Sequence, residues 1–149
     1  MIRTATIEDL PLMEAGAREF YASSQYLKTF DPARFCALWK TLIGNNSGAI
    51  FMLFRDGTKE LIGALGAVVY PDSYSADLIA TEFFWYVLEG KRGHGLELYD
   101  AYEKWAQGKG CNRIRMAHLC DLMPDGLKWL YEEMGFDAVE ITYEKELPR

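Results

Sequence analysis

An α+β fold with a largely antiparallel sheet at its centre is what the sequence predicts, and three observations predict it. Apolar residues recur at helical spacing near both ends of the chain. Strand-like apolar runs fill the middle, around a hairpin signal at Asp56-Gly57. A further strand then runs into a glycine-bearing turn that opens another helix. With 149 residues, half of them hydrophobic, the chain is long enough for one buried core and short for two, so residues 1–149 read as a single domain.

Taken in order, Ile2 to Ala5 reads as a short strand. Thr6 is a helix cap with Asp9 three residues on, and Pro11 must lie in the first turn. Ile7, Leu10, Met13, Ala17, Phe20 and Tyr21 form the helical stripe that follows. Asp31-Pro32 opens a second helix, with Phe35, Leu38, Trp39, Leu42 and Ile43 on one face and Gly44 as its stop. Strands are expected over Ala49 to Arg55, Leu61 to Tyr70 and Leu78 to Leu88. Leu96, Tyr99, Tyr102 and Ala106 mark a third helix, ending near Gly108 and Gly110. Arg113 to Leu119 reads as a strand with Ile114, Met116 and His118 on one face. Leu127, Leu130, Tyr131 and Met134 give a fourth helix closed by Gly135, and Val139, Ile141, Tyr143 and Leu147 alternate in a final strand. The resulting order is β-α-α-β-β-β-α-β-α-β.

Composition narrows the function classes. Sixteen basic against twenty-two acidic side chains leave a net charge of −6, which argues against a nucleic-acid backbone as partner. Cys36, Cys111 and Cys120 are odd in number and have no metal-ligand spacing, so no disulfide framework and no metal site is expected. The amino terminus has no apolar signal core and no later run is long enough to span a membrane, so a cytoplasmic protein is expected.

The most informative stretch runs from Phe83 through Tyr86-Val87-Leu88 to Gly93-His94-Gly95-Leu96. Free N–H groups at a helix start, with the helix dipole behind them, suit phosphate oxygens. A dinucleotide fingerprint fits badly, because hairpin strands precede the turn and its third glycine is missing. The segment resembles instead the GNAT superfamily of N-acetyltransferases. The CoA pyrophosphate motif of that family is Arg or Gln, two residues, Gly, one residue, then Gly or Ala, just beyond a strand that commonly ends in Val. Val87, Arg92 and Gly95 match, and Glu97 stands in place of the last small residue.

Leu130-Tyr131-Glu132-Glu133-Met134-Gly135-Phe136 is similar to the family's penultimate helix, whose tyrosine protonates the departing CoA thiolate. The opening Ile2 to Thr6 with Asp9-Leu10-Pro11 also looks like the family's, so the resemblance spans nearly the whole chain. Ala80 to Val87, Trp105-Ala106 and Glu140 to Tyr143 resemble a branch often encoded by bacteriophages. The family's frequent Asn after the fifth strand is absent, with Pro124 near its place.

The resemblance implies a GNAT fold, a mixed, largely antiparallel splayed sheet flanked by helices, and acetyl transfer from acetyl-CoA to a primary amine by direct attack. It implies that Tyr86, Val87, Leu88, Arg92, Gly93, His94, Gly95, Leu96, Glu97 and Leu98 hold the cofactor and that Tyr131 is the acid. Glu82, a carboxylate on the strand beside the thioester, is the candidate base. Glu82 and Val87 have opposite strand parity, so they share a face only if a bulge intervenes. The acceptor, a small molecule or peptide amine, is not readable. A homodimer is expected if Tyr143 and its neighbours form an exposed strand edge. A non-catalytic relative that binds CoA or a protein partner is the alternative, carried by Glu97 and the missing Asn.

Overall fold

The computed structural model describes residues 1–22, 29–88, 93–118 and 124–149, without the side chains of Phe20, Pro124 and Asp125. It divides into two compact units, Met1–Ala117 and His118–Arg149.

The first unit is built on a five-stranded sheet in the order β1-β2-β3-β4-β5, with β1 Ile2–Thr4, β2 Gly48–Phe54, β3 Leu61–Pro71, β4 Leu78–Val87 and β5 Arg113–Arg115. Neighbours are antiparallel except β4 and β5, which run parallel, so the sheet is mixed and open. Helices α1 (Leu10–Ala22), α2 (Pro32–Gly44) and α3 (Gly95–Gly108) belong to this unit.

Local chemistry sets the boundaries. A 3-10 turn, Ile7–Asp9, precedes α1. There the Asp9 carboxylate accepts from the Thr6 N–H at 2.8 Å and takes a two-pronged Arg3 guanidinium at 2.7 and 2.8 Å. That guanidinium holds the Asp9 carboxyl well below the usual carboxylate range. Asp31 caps α2 by accepting from the Arg34 N–H at 3.1 Å, with Pro32 at the first helical position. The hairpin between β2 and β3 turns through Gly57 at φ +70°, and the Arg55 N–H closes it on the Glu60 carbonyl at 3.0 Å.

All seven residues of β2 are buried because both faces of the sheet are covered. Ile50, Met52 and Phe54 join Leu10, Met13, Ala17, Phe35 and Trp39 on one face. Residues of opposite parity serve the α3 side, where the Phe51 ring meets Trp105 edge-on with centroids 5.9 Å apart. Trp39 anchors the first layer, edge-on to Phe84 at 5.4 Å. Leu38, expected on the same apolar stripe, is exposed instead.

The second unit contains α4 (Pro124–Glu133), which stops through Gly135 at φ +87° as the sequence suggests. Two expectations are corrected. The strand expected over Arg113 to Leu119 pairs only through Arg115, so His118 lies beyond it, and Leu119 is outside the described residues. The final strand does not form: residues 137–149 have no regular secondary structure, and Val139, Ile141, Tyr143 and Leu147 are exposed. Alternation specifies which faces a strand would have, but a strand also needs a neighbour's N–H and C=O groups.

Close packing at Gly66 of β3 is testable. A Cβ there would fall 2.4 Å from the Phe84 ring and 2.8 Å from the Trp39 ring, both buried. Gly66→Ala should therefore lower unfolding free energy by about 1–3 kcal/mol, an overpacking cost, in chemical denaturation. Backbone preference alone would make alanine the better strand residue.

Candidate active site

The site is organised by how β4 sits between its two neighbours. Gly63 pairs with Val87, Leu65 with Trp85 and Ala67 with Glu82, while Gly66 pairs with Phe84. Two residues of β3, Gly66 and Ala67, thus face three of β4, and Phe83 is the extra one. Opposed residues in an antiparallel ladder share a face. Gly63, Leu65 and Ala67 alternate on one side, so Glu82, Trp85 and Val87 lie together there despite their opposite parity. The bulge required by the sequence reading is present.

On its other edge β4 pairs with β5 only from Ile79 to Thr81. Beyond Thr81 the two parallel strands part, and Glu82 stands at the fork. Its Oε2 accepts from the Ala117 N–H at 2.9 Å, just past the end of β5. Tyr102 of α3 reaches the same corner, donating to the Arg115 carbonyl at 3.1 Å.

Glu82 is the one buried charged side chain in the core of the described residues. Burial pushes its carboxyl up to about 7, and the Ala117 N–H offsets this in part. The Glu82 charge also reaches two phenols. Tyr21 and Tyr102 are raised first by burial and further by that carboxylate. A buried carboxyl with a pKa near neutrality is suited to exchange protons with a substrate at neutral pH.

Gly95, the first residue of α3, is placed directly over the end of β4. A Cβ on it would come within 3.3 Å of the Trp85 ring and 3.4 Å of Val87 Cγ2. Its glycine thus serves close helix-to-strand packing. Gly93 differs: it has φ +117°, so that turn needs glycine, and among the described residues nothing lies within 4 Å of where its Cβ would be. His94 is the N-cap residue without a side-chain capping bond, and its Nδ1 lies 3.1 Å from Glu97 Oε1. Glu97 and His94 are both exposed.

The remaining expected residues take different parts. Leu98 is fully buried and Leu96 is exposed. The Leu88 N–H is already spent on the Ile62 carbonyl at 2.8 Å. The Tyr86 side chain pairs with Ala64 on the α1–α2 face, its hydroxyl set where a Cβ of Gly16 would otherwise lie. Any Tyr86 contribution on the α3 face is therefore a backbone one. Arg92 and Cys120 lie outside the described residues. In the second unit Tyr131 is half-buried, edge-on to His118 at 6.5 Å and tilted against Phe136 at 5.7 Å. The Phe136 N–H closes back on the Tyr131 carbonyl at 2.9 Å.

Sequence reasoning missed Ala117, whose contribution is a backbone N–H and has no residue-type signal. Phe83 was legible as an aromatic that could line a pocket, but not as the extra residue of β4. It is 51% exposed and edge-on to Trp39 at 6.1 Å.

Comparison with known proteins agrees with this geometry. The profile described as the acetyltransferase (GNAT) family matches residues 12–136. No curated protein sequence matches the chain. Among solved structures, a transcriptional regulator from Bacillus halodurans C-125 is 21% identical, with a TM-score of 0.77 and 99% of each chain covered. The ribosomal-protein-alanine N-acetyltransferase from Brucella melitensis biovar Abortus 2308 is 16% identical, with a TM-score of 0.72 and 99% of each chain covered. An aminoglycoside acetyltransferase from an uncultured soil metagenomic sample, in complex with sisomicin, is 18% identical, with a TM-score of 0.72 over 100% of this chain and 95% of its own. These likenesses are of fold, whereas the profile covers most of the sequence. The chain belongs to the acetyltransferase (GNAT) family.

Proposed function

We propose that this chain transfers an acetyl group from acetyl-CoA to a primary amine by direct attack, with Glu82 as the base. The observation that carries this reading is the Glu82 carboxyl at the fork of β4 and β5. It is buried and accepts one bond, from Ala117, among the described residues. That leaves Oε1 able to take a proton from an incoming ammonium, directly or through water.

The residues present suit the acetyl donor. The edge of β4 beyond Thr81 is not paired with β5, so an extended arm can lie along it as an added strand. Gly93 to Leu98 bring the amino end of α3 to the end of that strand, where N–H groups and the helix dipole favour a diphosphate. Arg92 would add positive charge. When bound, acetyl-CoA supplies an acyl carbon activated as a thioester. Backbone groups near Tyr86 and Val87 would polarise its carbonyl. The Tyr131 hydroxyl, assigned by its place in the Tyr-Glu-Glu-Met-Gly-Phe run, would return a proton to the thiolate. The family uses acetyl-CoA typically, and the acceptor is left open as an amine.

Glu97 supports the second reading, a CoA-binding or partner-binding protein without turnover. It puts a carboxylate in the first turn of α3, where the diphosphate would sit. Thermal denaturation with acetyl-CoA decides. Ligand at 100 times its Kd should stabilise the wild type by about 2.7 kcal/mol. A shift appearing only in Glu97→Gly would show that the carboxylate closes the site, and no shift in either would remove CoA use.

Catalysis should depend on Glu82 ionisation. The rate should rise with pH through about 7, as the buried carboxyl loses its proton. Glu82→Gln should keep the Ala117 bond, abolish that rising limb and lower kcat/KM by about 10²–10⁴-fold. Tyr131→Phe should lower kcat with little effect on acetyl-CoA affinity. Stability has the opposite pH dependence. The folded state holds the Glu82 proton more tightly than the unfolded chain between the ordinary carboxyl value of 4.5 and about 7, so stability falls as pH rises across that window. Denaturation midpoints of wild type and Glu82→Gln across this range test the sign.

A further inference from the structure

The N–H that Glu82 accepts has little support of its own. It belongs to Ala117, two residues past the last rung of the β4–β5 ladder, which is Thr81 with Arg115. Met116 and Ala117 have no regular secondary structure, and Ala117 is exposed, so its single methyl group gives packing little to hold. Hydrogen bonds weaken steeply as distance and angle degrade, and a buried carboxyl gains most from a donor kept in place.

Tyr102 supplies what is missing. It lies on the buried stripe of α3 with Leu98 and Ala106, all three 0% exposed, and meets the Tyr99 ring edge-on with centroids 6.5 Å apart. Its hydroxyl donates to the Arg115 carbonyl at 3.1 Å, its one hydrogen bond among the described residues. A phenylalanine would fill the same space in α3, so the hydroxyl serves that bond. Arg115 to Ala117 is thus gripped at both ends, its first carbonyl by Tyr102 and its last N–H by Glu82. The start of the same helix is seated over the end of β4, where a Cβ on Gly95 would come within 3.3 Å of the Trp85 ring. One helix therefore holds both arms of the fork, β4 through packing and β5 through a hydroxyl.

We propose that Tyr102 is a positioning residue for Glu82: its hydroxyl fixes the backbone that presents the Ala117 N–H, and thereby fixes the carboxyl at the fork. The positioning holds whatever the carboxyl does, while its consequence for turnover rests on the reading of Glu82 as the base. Tyr21 of α1 and Tyr102 of α3 are the titratable groups that the Glu82 charge reaches among the described residues, and Tyr99 and Cys111 act on Tyr102 in turn. The Arg115 guanidinium donates to the Tyr70 hydroxyl at 3.3 Å. Burial raises both phenols above their usual range, so near neutral pH Glu82 titrates without them.

Carbon-13 NMR of the glutamate-labelled full chain follows the Glu82 carboxyl, with Glu82→Gln identifying its signal. In Tyr102→Phe, with unchanged far-UV circular dichroism, the titration midpoint should rise by about half a unit to one unit, the worth of one weakened hydrogen bond to the ionised form. The rising limb of kcat/KM should move up in pH with it. A Tyr102 that only filled the core would lower stability and leave the midpoint where it is. An unchanged or lowered midpoint therefore overturns the proposal. A raised midpoint in a protein whose wild type transfers no acetyl group supports the positioning and removes the base reading instead. If Tyr102→Phe fails to fold, replacing Tyr102 by 3-fluorotyrosine takes its place. That more acidic hydroxyl donates more strongly, so the midpoint should fall, and an unmoved midpoint refutes the proposal.

Discussion

A single inserted residue, Phe83, determines how the candidate site is put together. Because β4 carries one residue more than β3 at that point, Glu82 turns to the same face as Trp85 and Val87. Without the bulge, regular alternation would put Glu82 on the α1–α2 face, among Trp39 and Phe84. The fork between β4 and β5 begins at the same place, since their pairing ends at Thr81. The bond from Ala117 to Glu82 substitutes a side chain for the next rung of the ladder. The carboxylate thus completes the backbone's hydrogen bonding at the point where the strands separate, and is held in position by doing so.

Packing on either side keeps this arrangement rigid. Trp39 and Phe84 fill the space a β3 side chain would occupy at Gly66, which brings α2 down onto the sheet beside the bulge. On the opposite face Gly95 seats the start of α3 against Trp85 and Val87. The amino end of a helix and the free edge of a strand are therefore fixed relative to one another by two glycines and three aromatic rings, with no charge needed. Polar groups act at the margins. Arg3, Thr6 and Asp9 pin the entry to α1, and Arg113 ties β5 to Asp72 and Asp77 in the loop before β4.

Much of this was legible in the sequence because the signals were local. Asp31-Pro32, Asp56-Gly57 and Gly135 each specify a backbone conformation through the chemistry of one or two residues, and each appears where expected. Period-two and period-3.6 patterns located the strands and helices around them. Glu82 stands out by type and strand, and its opposite parity to Val87 makes a shared face conditional on a bulge. What the sequence did not show depends on partners distant in the chain. The Ala117 N–H is common to every residue type, and the early end of β5 follows from the parting of two strands. The last strand failed for a related reason: Val139, Ile141 and Tyr143 specify faces, while formation depends on which edge is available.

The raised pKa of Glu82 has a consequence for binding. Near pH 7 the carboxyl is divided between protonated and ionised forms. A cation brought next to it would favour the ionised form, so the group must give up part of a proton to solvent as the cation arrives. Association of a cation with this fork would thereby be linked to proton release, and its heat would depend on the ionisation enthalpy of the buffer. A ligand carrying a charge would be distinguished from its neutral isostere through that exchange, before any bond is made or broken.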